Sequence, residues 1–156
     1  MADKKIKNEL DTDYHLVGIA SSLKEYKLCH YLNELLGCDF RKLEPLSFEP
    51  KDRTRKIQFS VFKAGDDEDM NTFVVFTNKN LGEFLLPEVN NFDYIIQVTG
   101  KYPAEEIKTL AEKIKQFPDV MMSAEIPLKR IKSKERLVYE EEKPTQKLMS
   151  RKRFNR

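Results

Sequence analysis

The chain has five glycines among its 156 residues. Their placement makes neither a dinucleotide-binding fingerprint nor a P-loop, so no backbone cradle for a phosphate is expected. Two cysteines, Cys29 and Cys38, are too few for a disulfide framework. The two histidines, His15 and His30, could join them in a zinc site only without the close C-x-x-C pair that such sites use. Cys29 and His30 are neighbours in a helical pattern, where adjacent side chains diverge by about 100°. The thiol is therefore turned away from its nearest base, which argues against a Cys–His nucleophile. The acidic run Asp66-Asp67-Glu68-Asp69 lacks the alternating oxygens, the turn glycine and the closing glutamate of a calcium loop. It reads as a solvated hairpin tip. No apolar run approaches the roughly 20 residues of a membrane span. Met1-Ala2-Asp3-Lys4-Lys5 opens neither a signal-peptide apolar region nor a myristoylation site. A non-enzymatic, cytoplasmic protein with no metal and no cofactor is expected.

What is present supports a folded domain. Hydrophobic residues make up 40% and aromatics 10%, and a chain of this length buries roughly two-thirds of its unfolded surface. Tyr14 to Ala20 reads as a buried strand. Ser22 to Glu25 reads as a capping box opening a helix with Leu28, Leu32, Leu35 and Leu36 on one stripe, ended by Gly37. Cys38 to Leu43 suggests a second strand, and Pro45 to Thr54 a loop. Ile57, Phe59 and Val61 alternate with polar residues and pair with Thr72–Thr77 across the acidic turn. Phe73-Val74-Val75-Phe76 has the aromatics of an RNA-recognition sheet without its glycines and leading cation, so these side chains are assigned to the core. Asn78 to Gly82 turns the chain, and Pro87 stops the Phe84–Leu86 stretch. Asp93 to Thr99 is a strand. Pro103 opens a helix with Ile107, Leu110, Ala111, Ile114 and Phe117 inward. Val120, Met122, Ala124 and Ile126 alternate as a closing strand.

This order predicts an α+β two-layer sandwich: a five- to six-stranded, mainly antiparallel sheet with two helices on one face, ferredoxin-like in character. The other face is left solvated or free to hold a partner. The expected organisation is a loose N-terminus over 1–11, a single domain over 12–139 and a basic, disordered tail over 140–156.

Charge divides unevenly along the chain. Residues 1–126 hold 17 basic and 22 acidic side chains, a net of −5, whereas residues 127–156 hold 11 and 4, a net of +7. A basic end on an acidic body attracts polyanions over about one Debye length, near 8 Å at physiological salt. Three readings stay open: a solvated terminus, attachment to RNA or a ribonucleoprotein, and attachment to an acidic protein or membrane surface. In the RNA reading Lys147, Arg151, Lys152, Arg153 and Arg156 contact phosphates and Phe154 stacks on a base.

The segment Leu86-Pro87-Glu88-Val89-Asn90-Asn91-Phe92-Asp93-Tyr94 resembles the defining motif of the IPExxxVDY family, small uncharacterised proteins typical of the Bacteroidota. Pro87, Glu88, Asp93 and Tyr94 match the motif, while Leu86 replaces isoleucine and Phe92 replaces valine. The resemblance runs from about Tyr14 to Val138 and implies a housekeeping, cytoplasmic setting without an activity. Physically, the motif has two readings. It is a structural loop with Tyr94 pointing inward, or Glu88 and Asp93 project together towards a basic partner or a cation. The expected function is a binding or adaptor protein that docks onto a larger cytoplasmic partner or ribonucleoprotein. The alternatives are a regulatory subunit using the sheet face or the 86–94 loop, and a small-molecule sensor or enzyme.

Overall fold

The computed structural model describes residues 14–49, 56–65 and 71–137. Ten strands and two helices follow in the order β1 (Tyr14–Ser21), α1 (Glu25–Leu36), β2 (Arg41–Lys42), β3 (Leu46–Phe48), β4 (Ile57–Phe59), β5 (Val61–Ala64), β6 (Asn71–Thr77), β7 (Lys79–Asn80), β8 (Glu83–Phe84), β9 (Tyr94–Gly100), α2 (Ala104–Lys115) and β10 (Val120–Ile126). Short 3-10 turns lie at Pro87–Val89, Leu128–Arg130 and Lys134–Leu137. Six strands form one sheet in the order β10-β1-β9-β6-β5-β2, with every neighbouring pair antiparallel. The run β10-β1-β9-β6, with α1 leaving β1 and α2 joining β9 to β10, is the ferredoxin-like βαββαβ unit. Strands β2 to β5 are inserted between α1 and β6. No helix among the described residues is long and apolar enough to cross a membrane.

Both helices pack on one face, as the amphipathic periodicities predict. Leu28, Cys29 and Leu32 of α1, with Ile107, Leu110, Ala111 and Ile114 of α2, meet Val17, Ile19, Val75, Ile96 and Val98 of the sheet. Gly37 ends α1 in the left-handed region at φ 65, and its amide donates to the Asn33 carbonyl at 2.8 Å. Pro103 caps α2.

Other local expectations are corrected. The Ser22–Glu25 capping box does not form. Lys24 is the cap residue and offers no side-chain bond. The preceding turn is closed by Ser21, whose hydroxyl accepts from Leu23 N at 2.9 Å and donates to the Asp119 carbonyl at 2.7 Å. Glu25 is drawn to Lys42 Nζ at 3.0 Å. The strand expected over Cys38–Leu43 shrinks to Arg41–Lys42, and the supposed loop after Pro45 contains β3. β4 and β5 part at Ser60, where Thr77 exchanges bonds with the Ser60 backbone, and β4 leaves the sheet to pair with β3. In β10 the register shifts opposite Ala20 and Ser21. The resulting bulge puts Val120 against the helix-side core and Ala124 and Ile126 against the opposite one. Met122, expected on the buried side, is exposed along with Met121.

The largest departure concerns the second sheet face. It is neither solvated nor open, because Leu16, Val61, Val74, Phe76 and Ile95 on that face lie under Leu46, Ile57 and Phe59 of the β3–β4 hairpin, the 85–92 segment, and Ile131 and Leu137. The sandwich thus carries a third, irregular layer built from connections. The acidic run 66–69, residues 1–11 and the tail 140–156 lie outside the described residues.

Candidate functional site

The 86–94 segment is the keystone of that third layer. Leu86 and Val89 are fully buried, and Phe92 is 4% exposed. Pro87 opens the Pro87–Val89 3-10 turn, whose geometry its fixed φ suits. Phe92 packs on Gly18 of β1, so close that a Cβ built at Gly18 would run into the ring. Glycine at position 18 is therefore a packing requirement, not a turn. Phe92 fills the space that the missing side chain leaves.

Asn78, between β6 and β7, organises the loop from inside. Its side chain is fully buried. Oδ1 accepts from Leu86 N at 2.7 Å, and Nδ2 donates to the carbonyls of Val89 at 3.1 Å and Phe92 at 2.9 Å. Its backbone accepts from Leu85 N and donates to the Asp93 carbonyl. One amide side chain thereby satisfies the Leu86 amide and the Phe92 carbonyl, which would otherwise be buried without partners, and adds a second bond to the Val89 carbonyl, which also accepts from Phe92 N. The sequence shows Asn78 only as a turn residue. The signal that could have identified it is an asparagine set two positions after the apolar run Phe73-Val74-Val75-Phe76.

The two motif carboxylates are engaged separately. Asp93 Oδ2 accepts from Ser21 N at 2.8 Å, and its Oδ1 lies 3.7 Å from Lys79 Nζ. Asp93 N donates to the Ile19 carbonyl, so this residue knits β1 to the start of β9. Glu88 reaches the other way. Its Oε2 accepts from Ser133 Oγ at 2.9 Å and Lys132 N at 3.2 Å, while Oε1 is buried without a hydrogen-bond partner among the described residues. Burial pushes the Glu88 carboxyl up, but the hydrogen bonds from its own amide, Ser133 and Lys132, with the nearby Arg136 charge, outweigh it and hold the group below its ordinary value. Tyr94 points inward, as its strand position predicts, and its hydroxyl donates to the Leu23 carbonyl. Burial, then the Glu25, Asp93 and Cys29 charges, push that phenol up to about 12.

Glu88 is the anchor for residues 127–137, a strap that crosses the third layer after β10. Ile131 and Leu137 are buried in it. Arg136 donates to the Leu85 carbonyl at 2.9 Å and the Phe84 carbonyl at 3.3 Å, and its guanidinium lies 5.4 Å from the centroid of the Phe48 ring. The strap's remaining cations point outward: Lys129, Arg130 and Lys132 are exposed and Lys134 is half-buried.

The histidines and cysteines stay dispersed. His15 faces Glu125 at 3.9 Å, and His30 faces Glu34 at 3.4 Å on the solvent side of α1. Cys29 is buried beneath α1, and burial, then the Glu25 and Cys38 charges, push its thiol up to about 12, which makes it a poor nucleophile. No group of three His, Cys, Asp or Glu side chains suited to a metal occurs among the described residues. The tail residues Lys147, Arg151, Lys152, Arg153, Phe154 and Arg156 lie outside the described residues. No protein-family model matches the chain, and no curated protein matches it.

Proposed function

We propose that this protein is a non-enzymatic, cytoplasmic binding or adaptor protein that docks onto a larger ribonucleoprotein partner through its cationic C-terminal end, and that it belongs to the IPExxxVDY family. The observation carrying the functional reading is the division of charge, −5 over residues 1–126 against +7 over residues 127–156. Polyanion attraction of this kind is sequence-tolerant and salt-dependent. The motif supports the reading as a structural element: Glu88 ties the start of the cationic segment to the domain, so that a partner held by the tail is also held near the fold.

A protein partner is the second reading, favoured by β10. That strand ends the sheet order, and it carries Met121 at 69% and Met122 at 44% exposure. An added strand there would gain main-chain bonds and bury both methionines. The sheet face, the other docking place considered for a protein partner, is filled by the chain's own third layer. Affinity purification of the full-length protein from its own cells, with and without ribonuclease, separates the two. Partners lost on ribonuclease treatment support attachment to RNA. One stoichiometric protein that survives treatment sinks the RNA reading and turns attention to β10.

A further inference from the structure

We infer that the folded strap is itself an RNA-binding face, with Lys129, Arg130, Lys132 and Lys134 contacting successive phosphates of a single strand and Lys56 extending the contact from the β3–β4 hairpin. This deepens the reading above and rests on it, since it assigns to ordered residues a role that charge alone gives only to the tail. The geometry sorts the strap into two sides. Ile131 and Leu137 are sunk in the third layer, with Leu128 packed against it, and Arg136 is spent on the Phe84 and Leu85 carbonyls. What remains outside is predominantly cationic, with Glu135 the one exposed carboxylate of the strap. Lys129, Arg130 and Lys132 are exposed, and none of them forms an ion pair with a described residue.

Glu88 matters here because it holds the strap by the Lys132 amide and the Ser133 hydroxyl. It thus spends its charge on backbone and hydroxyl groups and leaves the ammonium of Lys132 unneutralised. The contour from 129 to 134 is at most about 18 Å, enough to follow a few phosphates along one strand. Lys56, also exposed, immediately precedes Ile57, which pairs with Phe48. The Phe48 ring lies against the Arg136 guanidinium, so a cation some eighty residues distant in sequence is brought to the same end of the molecule.

The chemistry favours a phosphate backbone over the other polyanions. A membrane site needs apolar anchors interleaved with its cations, whereas the strap's apolar side chains face inward. The exposed methionines of β10 lie towards the opposite end of that seven-residue strand, which rises about 3.3 Å per residue. Protein interfaces are depleted of lysine at their centres and built on buried aromatic or apolar anchors, and no such anchor sits among these cations.

The test uses the full chain and a fluorescent 20-nucleotide oligouridylate, followed by anisotropy across a salt series. One variant combines Lys129→Gln, Arg130→Gln and Lys132→Gln. A second combines Lys147→Gln, Arg151→Gln, Lys152→Gln, Arg153→Gln and Arg156→Gln. The strap variant keeps every backbone bond to Glu88 and should melt within about a degree of wild type. Its slope of log affinity against log salt should fall by about two, since each phosphate contact contributes about 0.7 on single strands. The same fall should appear in the background of the tail variant. Unchanged affinity and slope in the strap variant, with binding lost in the tail variant, would overturn the strap assignment and leave the tail reading standing. Failure of the wild type to bind the oligonucleotide at low salt, with binding to phosphatidylglycerol vesicles or polyglutamate instead, would overturn both.

Discussion

Asn78→Ala is the substitution that most directly probes how the third layer is held. The side chain is fully buried and makes three hydrogen bonds, all to backbone groups of the 86–92 loop. Alanine removes all three bonds at once and leaves the Leu86 amide and the Phe92 carbonyl buried without partners, while the Val89 carbonyl keeps its bond from Phe92 N. An orphaned buried polar group costs about 1–3 kcal/mol. Carbonyls tolerate the loss better than amides, and water can enter part of the vacated space, so the expected loss from these two groups is about 2–4 kcal/mol. For a chain of this size each kcal/mol lowers Tm by about 2–4 °C, which makes a fall of about 5–15 °C. Urea unfolding should show a lower midpoint with an unchanged slope, because the surface exposed on unfolding is the same. Hydrogen exchange gives the specific readout: protection of the Leu86 amide should collapse, while amides in the centre of β9 lose only the global increment. A destabilisation below about 1 kcal/mol with the Leu86 amide still protected would refute the role given to Asn78.

Gly18→Ala should cost about 1–3 kcal/mol, because its new methyl overlaps the Phe92 ring. Phe92→Ala should cost about 3–5 kcal/mol alone, and a double-mutant cycle should return a coupling of at least about 1 kcal/mol; additive effects would show that the two residues do not share this space. The Glu88 carboxyl is held below its ordinary value of 4.5, so its contribution to stability is present above about pH 4.5 and lost as pH falls further, through the folded-state value. Wild-type Tm should therefore drop more steeply than that of Glu88→Gln below pH 4.5, and parallel curves would contradict the anchor. Leu81 sits at φ 52, followed by Gly82 at φ 80, in the two-residue turn between β7 and β8. Leu81→Asn supplies the residue that such a turn prefers and should stabilise by about 1 kcal/mol in urea unfolding, whereas a loss of stability would mean that the exposed leucine side chain contributes contacts of its own.

The legible parts of this fold are those encoded at short range. The β9 strand, the stripe of α2 and the stop at Gly37 were readable because periodicity and capping chemistry act within a few residues. The capping box at Ser22 is an equally local pattern and does not form. Ser21 competes through a carbonyl 98 residues away, and Lys42 takes the glutamate that the box requires. The inward ring of Tyr94 followed from alternation, but its hydroxyl partner at Leu23 did not, because 71 residues separate them. For the motif, the sequence exposed its special residues while leaving their roles divided. The bonds of Glu88 to 132–133 and of Asp93 to Ser21 span 44 to 72 residues, and no spacing rule reaches that far.

By itself the sequence determined the ferredoxin-like α+β core, with two helices on one sheet face, and the concentration of positive charge at the chain's end. Apolar period and net charge are properties of single segments. Only the tertiary structure decided that the second face is closed by β3–β4, the 86–94 loop and the strap, and that Asn78 and Gly18 are the residues on which this closure depends. An alternating pattern records that a face must be covered, but which segment covers it is set by long-range packing and by which buried backbone groups find partners there.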